Sequence, residues 1–515
     1  MKEGAKGIKI STKNSIASLE QTIQDKRRLF VYSFVAVTLI VLLAPLFTRW
    51  MLGNDTLPGE ESYAHLMLAE SLVQEERAIH PIYEGREFFI TPYHRLLAFT
   101  GRIFGLETGS LILGLLLGLL SSLLFFLLLK HLDISLTERL LIMLPLVLSP
   151  VFIYLFTAPN PHSFAVLLLL LGAYLATKTY AHKGSEEWLT IAGKLTAVIC
   201  LFLVSMFSLF HAGLAIVLAL WYGLQKGRGS KKRGWMSEWV YVLLAVALSI
   251  LAVLIFKPAG YYVYYQIEHS LATLIPLSIS DLGAYLGFGP FSLVLAGIGL
   301  YESWKNKKQH LIRYLLTITL FTLVFWYGNT IFFYLLWPAV YYMGLGLTAL
   351  RSLHWRFTLL KNLTLLVVIC GLLFSTISFM NQTAQGGATQ DMKEGLEMLQ
   401  GLARTDDVVL TSHTNGFVVE YLAKRKVLLD GAFYTIPNLE EAFEASYRLF
   451  YPPNQQALTS LLEQHHIQFM VIDKKMKEDL WNNKKQGLLA HLDNEKLFKR
   501  ILTSPDLEIW QVQRG

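Results

Sequence analysis

The chain has 515 residues, 53% of them hydrophobic and 16% charged, with a formal net charge of +7 at pH 7. Soluble domains carry about a quarter charged residues, and a mean hydropathy of +0.43 leaves more apolar surface than water tolerates, so lipid is the expected solvent. The positive charge lies in short segments between apolar runs rather than on one basic face, which argues against nucleic acid as a partner.

In chain order, about 28 polar and basic residues come first and read as a cytoplasmic segment, 1–28. The apolar run that follows lacks a small-residue cleavage pattern, so it reads as an anchor rather than a signal peptide. A helix crossing about 30 Å of hydrocarbon needs about 20 residues. On that rule spans fall at 29–50, 108–129, 138–156, 161–180, 188–207, 210–225, 237–256, 285–303, 312–328, 331–350 and 359–379, about eleven in all. Cys200 and Cys370 sit inside such runs without a C-x-x-C neighbour and read as small core hydrophobes.

The charges agree with this layout. One side carries Lys130, Arg139, Lys178, Lys183, the cluster Lys226, Arg228, Lys231, Lys232 and Arg233, then Lys305, Lys307, Lys308 and Arg313, and later Arg351, Arg356 and Lys361. The other side carries two long loops, 51–107 and 257–284, and the C-terminus. The first loop is acidic, with Asp55, Glu60, Glu61, Glu70, Glu75, Glu76, Glu84, Glu87 and Glu107. This separation places the N-terminus inside and the long loops outside. Residues 29–380 read as the membrane region and 386–515 as an extracytoplasmic α/β domain. Its expected order is a helix from Asp391 to Leu402, a strand Val408–Leu410, a helix Phe417–Ala423 and a strand at 427–429. Helices near 438–449 and 454–464 and a strand Phe469–Ile472 follow.

Chemistry is expected in the outer loops. Glu60 and Glu61 stand about ten residues past the first span, near the membrane surface, where carboxylates bind a divalent metal or take a proton from an acceptor. They also fit a plain solvated acidic loop. Arg86 and Arg95 on that loop either pair with its acids or bind phosphate through a bidentate fork. Tyr261, Tyr262, Tyr264 and Tyr265 in the second loop read as an interfacial aromatic belt. His162 and His211 lie near outer span ends. Asn54 and Asn381 head outer glycosylation sequons, and Asn362 an inner one.

This layout resembles the GT-C membrane glycosyltransferases, and within them the catalytic subunit of oligosaccharyltransferase. Glu61-Ser62-Tyr63-Ala64-His65 matches that family's acid followed by x-[WY]-x-[HN]. Ser278-Ile279-Ser280-Asp281 matches [ST]-[IV]-x-E with Asp for Glu, and Phe288-Gly289 with Gly297 and Gly299 then opens a span. Ser412-His413-Thr414-Asn415-Gly416 stands where the family has W-W-D-x-G, and keeps only the glycine. Asn160-Pro161-His162 replaces an acidic motif, and no arginine near Asn329-Thr330 matches the family's donor-phosphate contact.

The resemblance implies transfer of a sugar or glycan from a polyprenyl-phosphate-linked donor to a protein, glycan or lipid acceptor on the outer face. Glu61 would be base or metal ligand with Glu60 behind it, and Asp281 would reach in from the second loop. Glu61 and Asp281 would hold Mg²⁺ or Mn²⁺. Arg86, His94 and His162 would face donor phosphate. The departures point away from sequon-directed transfer and toward another acceptor. A prokaryotic cell membrane is the expected host. Two rival readings stay open: a scaffold or assembly protein that kept the fold and lost catalysis, and a transporter or flippase. Spans nearly free of acids argue against the last.

Overall fold

A computed structural model describes residues 27–74, 89–132, 134–181, 187–227, 232–256, 286–305, 314, 317–323, 328–433 and 438–513. Its helices begin with α1 (Arg27–Met51), α2 (Glu61–Gln74), α3 (Pro92–Phe104), α4 (Leu106–His131), α5 (Leu136–Val147), α6 (Pro150–Thr157) and α7 (Pro161–Ala181). They continue with α8 (Glu187–Ser205), α9 (Leu209–Gly227), α10 (Lys232–Phe256), α11 (Pro290–Trp304), α12 (Phe332–Ser352) and α13 (Thr358–Gln385). Among the described residues six of these, α1, α4, α7, α10, α12 and α13, are long and apolar enough to cross a membrane, and α5 with α6 makes a bent seventh. The count of eleven is not reached on length and composition. The apolar parts of α8 and α9, Thr190–Ser205 and Leu209–Gly223, are shorter than a full crossing. Helix α11 has 15 residues, and much of 312–328 lies outside the described residues. Cys370 also departs from expectation: it is exposed on α13, whereas Cys200 is buried.

The stretch 138–156 is not the single span that its composition suggests. Helices α5 and α6 meet at 66°. Pro150 is the cause: it lacks an N–H and drives Ser149 out of helical conformation, to φ −82° and ψ 129°. The acidic loop also departs from expectation, because it contains α2 and α3. Helix α2 buries Tyr63, Leu66, Met67, Leu68 and Ala69. Helix α3 starts with Pro92 after a capping box in which Thr91 and His94 each satisfy the other's backbone.

Helices α11 and α12 cross at van der Waals distance. A Cβ on Gly299 would lie 1.8 Å from the Tyr342 carbonyl oxygen, and one on Gly346 would lie 2.1 Å from that of Leu295. Close backbone approach of this kind is how helices associate where lipid competes for apolar side chains. Gly299→Ala is therefore expected to lower the melting temperature by pushing α12 away, at about 1–3 kcal/mol or more. Gly297→Ala is the control: a Cβ there meets nothing within 4 Å, so it is expected to be neutral or to stabilise by roughly 0.5–1 kcal/mol. Thermal unfolding of the two variants in detergent checks this opposition of sign.

Past α13 come α14 (Gln390–Leu402), β1 (Val408–Leu410), α15 (Gly416–Leu422), β2 (Lys426–Val427), α16 (Leu439–Phe450) and α17 (Gln455–Gln464). Then follow β3 (Ile467–Asp473), α18 (Lys474–Trp481), α19 (Leu488–His491), β4 (Phe498–Thr503) and β5 (Leu507–Val512). The sheet order is β2-β1-β3-β5-β4. The first three strands are parallel, and β5 runs antiparallel to both β3 and β4. The hairpin β4–β5 was not among the sequence expectations, and the strand expected over 427–429 pairs only at Lys426–Val427.

Side-chain alternation splits the sheet between two cores. Val409, Phe469 and Val471 face one, while Leu410, Met470 and Ile472 face the other. The first core is continuous with the helical bundle, since it includes Tyr63, Leu66 and Leu97 as well as Val418 and Val419. Helix α15 thus seats the sheet on α2 by apolar packing, with Tyr63 against Tyr421.

Candidate functional site

The acidic turn before α2 is braced from two sides. Arg49, 1% exposed at the end of α1, donates through Nε to the Thr56 carbonyl at 2.6 Å and through Nη1 to the Ala384 carbonyl at 2.9 Å. It also reaches the carbonyls of Gly386 and Ala388 and the Thr56 hydroxyl. Gly387, at φ +79°, packs so closely that a Cβ would lie 2.9 Å from the Gly59 nitrogen. Asn54 is drawn into the same joint. Its amide donates to the Ala388 carbonyl at 3.1 Å, and its oxygen accepts from the Thr56 N–H at 3.1 Å, so this sequon asparagine is structural.

Glu60 and Glu61 follow on that brace. Glu61 opens α2 and is exposed. Glu60 is half-buried and lies 3.8 Å from Lys475, the second residue of α18. Burial pushes the Glu60 carboxyl above the ordinary carboxylate range; Lys475 opposes this, while Asp473 and Glu61 add to it. Asp473 caps α18 by accepting from the Met476 N–H at 2.7 Å, and its other oxygen accepts from Asn415 at 3.0 Å. Segment 412–416 is thereby tied to the acidic turn. Gly416 has its own reason: a Cβ there would lie 2.4 Å from the Asp430 Cα. His413 stacks edge-on against Phe433 at 4.9 Å, and burial and then Lys475 hold it below the usual imidazole range.

Beside the turn stands a group of histidines. The Thr91 N–H donates to Nδ1 of His94 at 3.0 Å, which leaves the His94 proton on Nε2, 3.1 Å from Nδ1 of His65. His65 then carries its proton on Nε2. Burial holds His65 near a pKa of about 4, and burial with His65 as neighbour keeps His94 well below the usual range. Both imidazoles are neutral at physiological pH and act as fixed dipoles. At the mouth of α7, the His162 N–H donates to Asn160 Oδ1 at 2.8 Å, and Nδ1 meets the Tyr334 hydroxyl at 2.7 Å. That hydroxyl also bonds His211 at the start of α9, whose Nδ1 lies 2.6 Å from the Ser208 hydroxyl. His162 and His211 stack with ring centres 5.3 Å apart.

Of the residues singled out from sequence, Glu60 and Glu61 stand together. The structure pairs His94 with His65 and, separately, His162 with Tyr334 and His211. Arg86 and Asp281, with all of the second outer loop, lie outside the described residues. Sequence reasoning missed Lys475 and Tyr334: each comes from a distant element, and no local pattern marks it. Tyr63, the aromatic of the first motif, proves to be a docking residue. Its hydroxyl accepts from the Leu57 N–H at 3.2 Å, and its ring lies 5.6 Å from Tyr421.

No family model matches the chain, and no curated protein does. Solved structures do. The oligosaccharyltransferase of Archaeoglobus fulgidus, solved with a tethered acceptor peptide containing the NVT sequon, matches with a TM-score of 0.56 at 13% identity, over 87% of this chain and 70% of that one. ArnT from Cupriavidus metallidurans, solved with undecaprenyl phosphate, matches at 0.55 and 10% identity, over 93% and 97%. The mycobacterial arabinofuranosyltransferase AftD matches at 0.57 and 12% identity, over 95% of this chain and 42% of its own length. The fold is that of the GT-C membrane glycosyltransferases.

On this GT-C fold, the acidic turn and the histidines share the end of the bundle that carries the C-terminal sheet. For the expected Mg²⁺ or Mn²⁺ the described residues there offer too few ligands. Among the described residues no three His, Cys, Asp or Glu side chains converge in a metal-holding group, and Glu60 is paired with the Lys475 ammonium group. Hard cations take six or more oxygens, so the described residues do not make such a site.

Proposed function

We propose that this chain transfers a sugar or glycan from a polyprenyl-phosphate-linked donor to an acceptor on the face that bears the C-terminal sheet. That face is the extracytoplasmic side of a prokaryotic cell membrane, with the N-terminus in the cytoplasm. The observation that carries this reading is the half-buried Glu60 carboxylate, backed by Lys475, on a GT-C fold. In this reading Glu60 takes the proton of the acceptor hydroxyl. The acceptor oxygen bonds to the anomeric carbon, and the bond from that carbon to the phosphate oxygen breaks, its electron pair leaving with the lipid phosphate. A carboxyl raised above its ordinary range is a stronger base than a free one, and the Nε2–H of His65 can donate to a phosphate oxygen. Glu61 adds negative charge beside Glu60. Asp281 and Arg86 join this reading on their sequence motifs alone, and His94 and His162 join it as members of the two histidine pairs.

The test is transfer from labelled polyprenyl-phosphate and -pyrophosphate sugars by purified protein in lipid. No transfer with any donor, despite donor binding, would favour the scaffold reading, which the single glycine kept in segment 412–416 supports. A pH profile adds a sharper check. The base form of Glu60 fills only as pH climbs past the ordinary carboxylate range, so transfer is expected to rise with pH there. Lys475→Gln removes the group that opposes the shift and is expected to move the rising limb to higher pH. Stability has the opposite sign. A carboxyl raised on folding contributes stability below its unfolded pKa and loses it as pH rises through the folded value.

A further inference from the structure

Polar side chains that only join helices in lipid close on one another. Two hydrogen-bond chains in this protein end open instead. In the first, His162, His211 and Tyr334 each stand within the opening residues of a helix, α7, α9 and α12. The positive ends of three helix dipoles therefore meet at this group, an arrangement that favours an anion. Ser208, His211 and Tyr334 are buried, whereas His162, at the end of the chain, is half-buried.

The buried end sets the direction of the protons. The Ser208 oxygen accepts the His211 backbone N–H at 3.1 Å. Among the described residues the hydroxyl hydrogen of Ser208 has one acceptor, Nδ1 of His211 at 2.6 Å. His211 therefore carries its proton on Nε2 and donates to the Tyr334 hydroxyl. Tyr334 in turn donates to Nδ1 of His162 at 2.7 Å, which leaves the His162 proton on Nε2. The chain from Thr91 through His94 ends the same way, at Nε2–H of half-buried His65. Each ring accepts at one nitrogen and so is neutral. Among the described residues neither terminal N–H has a partner, and no Lys or Arg bonds to either ring. Tyr93 lies between the two ends. Its ring stands edge-on to His65 at 6.2 Å, and its hydroxyl accepts the Asn160 N–H at 3.1 Å, while Asn160 Oδ1 holds the His162 N–H.

We propose that the Nε2–H groups of His162 and His65 form a neutral anion site for a singly charged lipid phosphodiester, with Tyr334 and His211 as positioning residues that keep the His162 proton pointing outward. The transfer reading supplies the occupant, so the site rests on that reading and narrows its donor to a sugar on a polyprenyl monophosphate. A pyrophosphate carries a second negative charge, which neutral donors leave uncompensated.

The test measures binding rather than transfer. The full-length protein in detergent, with a chelator, would be titrated with undecaprenyl phosphate carrying one glucose and with the matching undecaprenyl pyrophosphate. The monophosphate is expected to bind at least about tenfold more tightly. His162→Met is expected to weaken it by about tenfold or more, the weight of one hydrogen bond to a charged group. His162→Gln, whose amide accepts from Tyr334 and still donates outward, is expected to keep most of the affinity. Tyr334→Phe is expected to weaken binding and to mix the His162 tautomers, read by ¹⁵N resonance of histidine-labelled protein. If Tyr334→Phe does not fold, the two His162 variants decide. Equal or tighter binding of the pyrophosphate, or unchanged affinity in His162→Met, would overturn the site. Transfer from the pyrophosphate donor alone would do so too, with the transferase reading intact. The expected binding pattern without transfer from any donor would sustain the site and remove the transferase reading.

Discussion

Exchanging Glu60 for glutamine is expected to slow transfer by about 10²–10⁴-fold, the usual contribution of a positioned general base, while donor binding stays unchanged. Glutamine keeps the shape of the side chain and removes only its capacity to accept a proton, so a lost reaction with intact donor binding isolates the chemical step. Glu61→Gln is expected to cost less. Glu61 is exposed at the first turn of α2, whereas Glu60 is half-buried against Lys475. The motif by itself ranks these two the other way, since Glu61 carries the family spacing to Tyr63 and His65. Single-turnover rates for both variants decide the order. A large loss in Glu61→Gln with Glu60→Gln active would return the role to Glu61. Full activity in both would remove the acidic turn from the chemistry.

The second large effect concerns stability. Arg49→Met is expected to destabilise the chain by about 3 kcal/mol or more, because each hydrogen bond from a charged group is worth roughly 1.5–3 kcal/mol. The guanidinium serves the carbonyls of Thr56, Ala384, Gly386 and Ala388 at once, and methionine fills the volume while donating to none. Arg49→Lys is expected to recover little, since an ammonium group lacks the planar fork that spans several acceptors. The measurement is thermal unfolding in detergent, joined with limited proteolysis at 386–388. Protection of that segment unchanged in Arg49→Met would show that the brace is not what seats the C-terminal sheet on the bundle.

Much of the architecture was open to reading because lipid imposes long apolar runs and a segregation of charge. Helices α1, α4, α7, α10 and α12 begin and end within a few residues of the expected spans, and α13 runs two turns further, to Gln385. The strand at Val408 and the helices around 439–450 and 455–464 were legible for the same reason: local apolar periodicity reports burial. Periodicity failed where burial was decided from elsewhere. Helices α2 and α3 read as loop from sequence because acids are spread through 51–107, and their burial comes from distant elements: α15 packs on α2, while α3 packs on α2, α4 and α7. The break at Ser149–Pro150 could have been suspected from the proline, but its 66° turn follows from the packing of α6 against α4 and α13.

The sequence by itself determined that this is a polytopic membrane protein with carboxylates and histidines gathered near one surface, because composition and spacing are properties of the chain alone. Only the tertiary structure decided which of those groups meet. Lys475 reaches Glu60 across about 415 positions, and Tyr334 joins His162 to His211. A pKa shift or a shared hydrogen bond depends on distance and on excluded water, and neither is written in the order of residues.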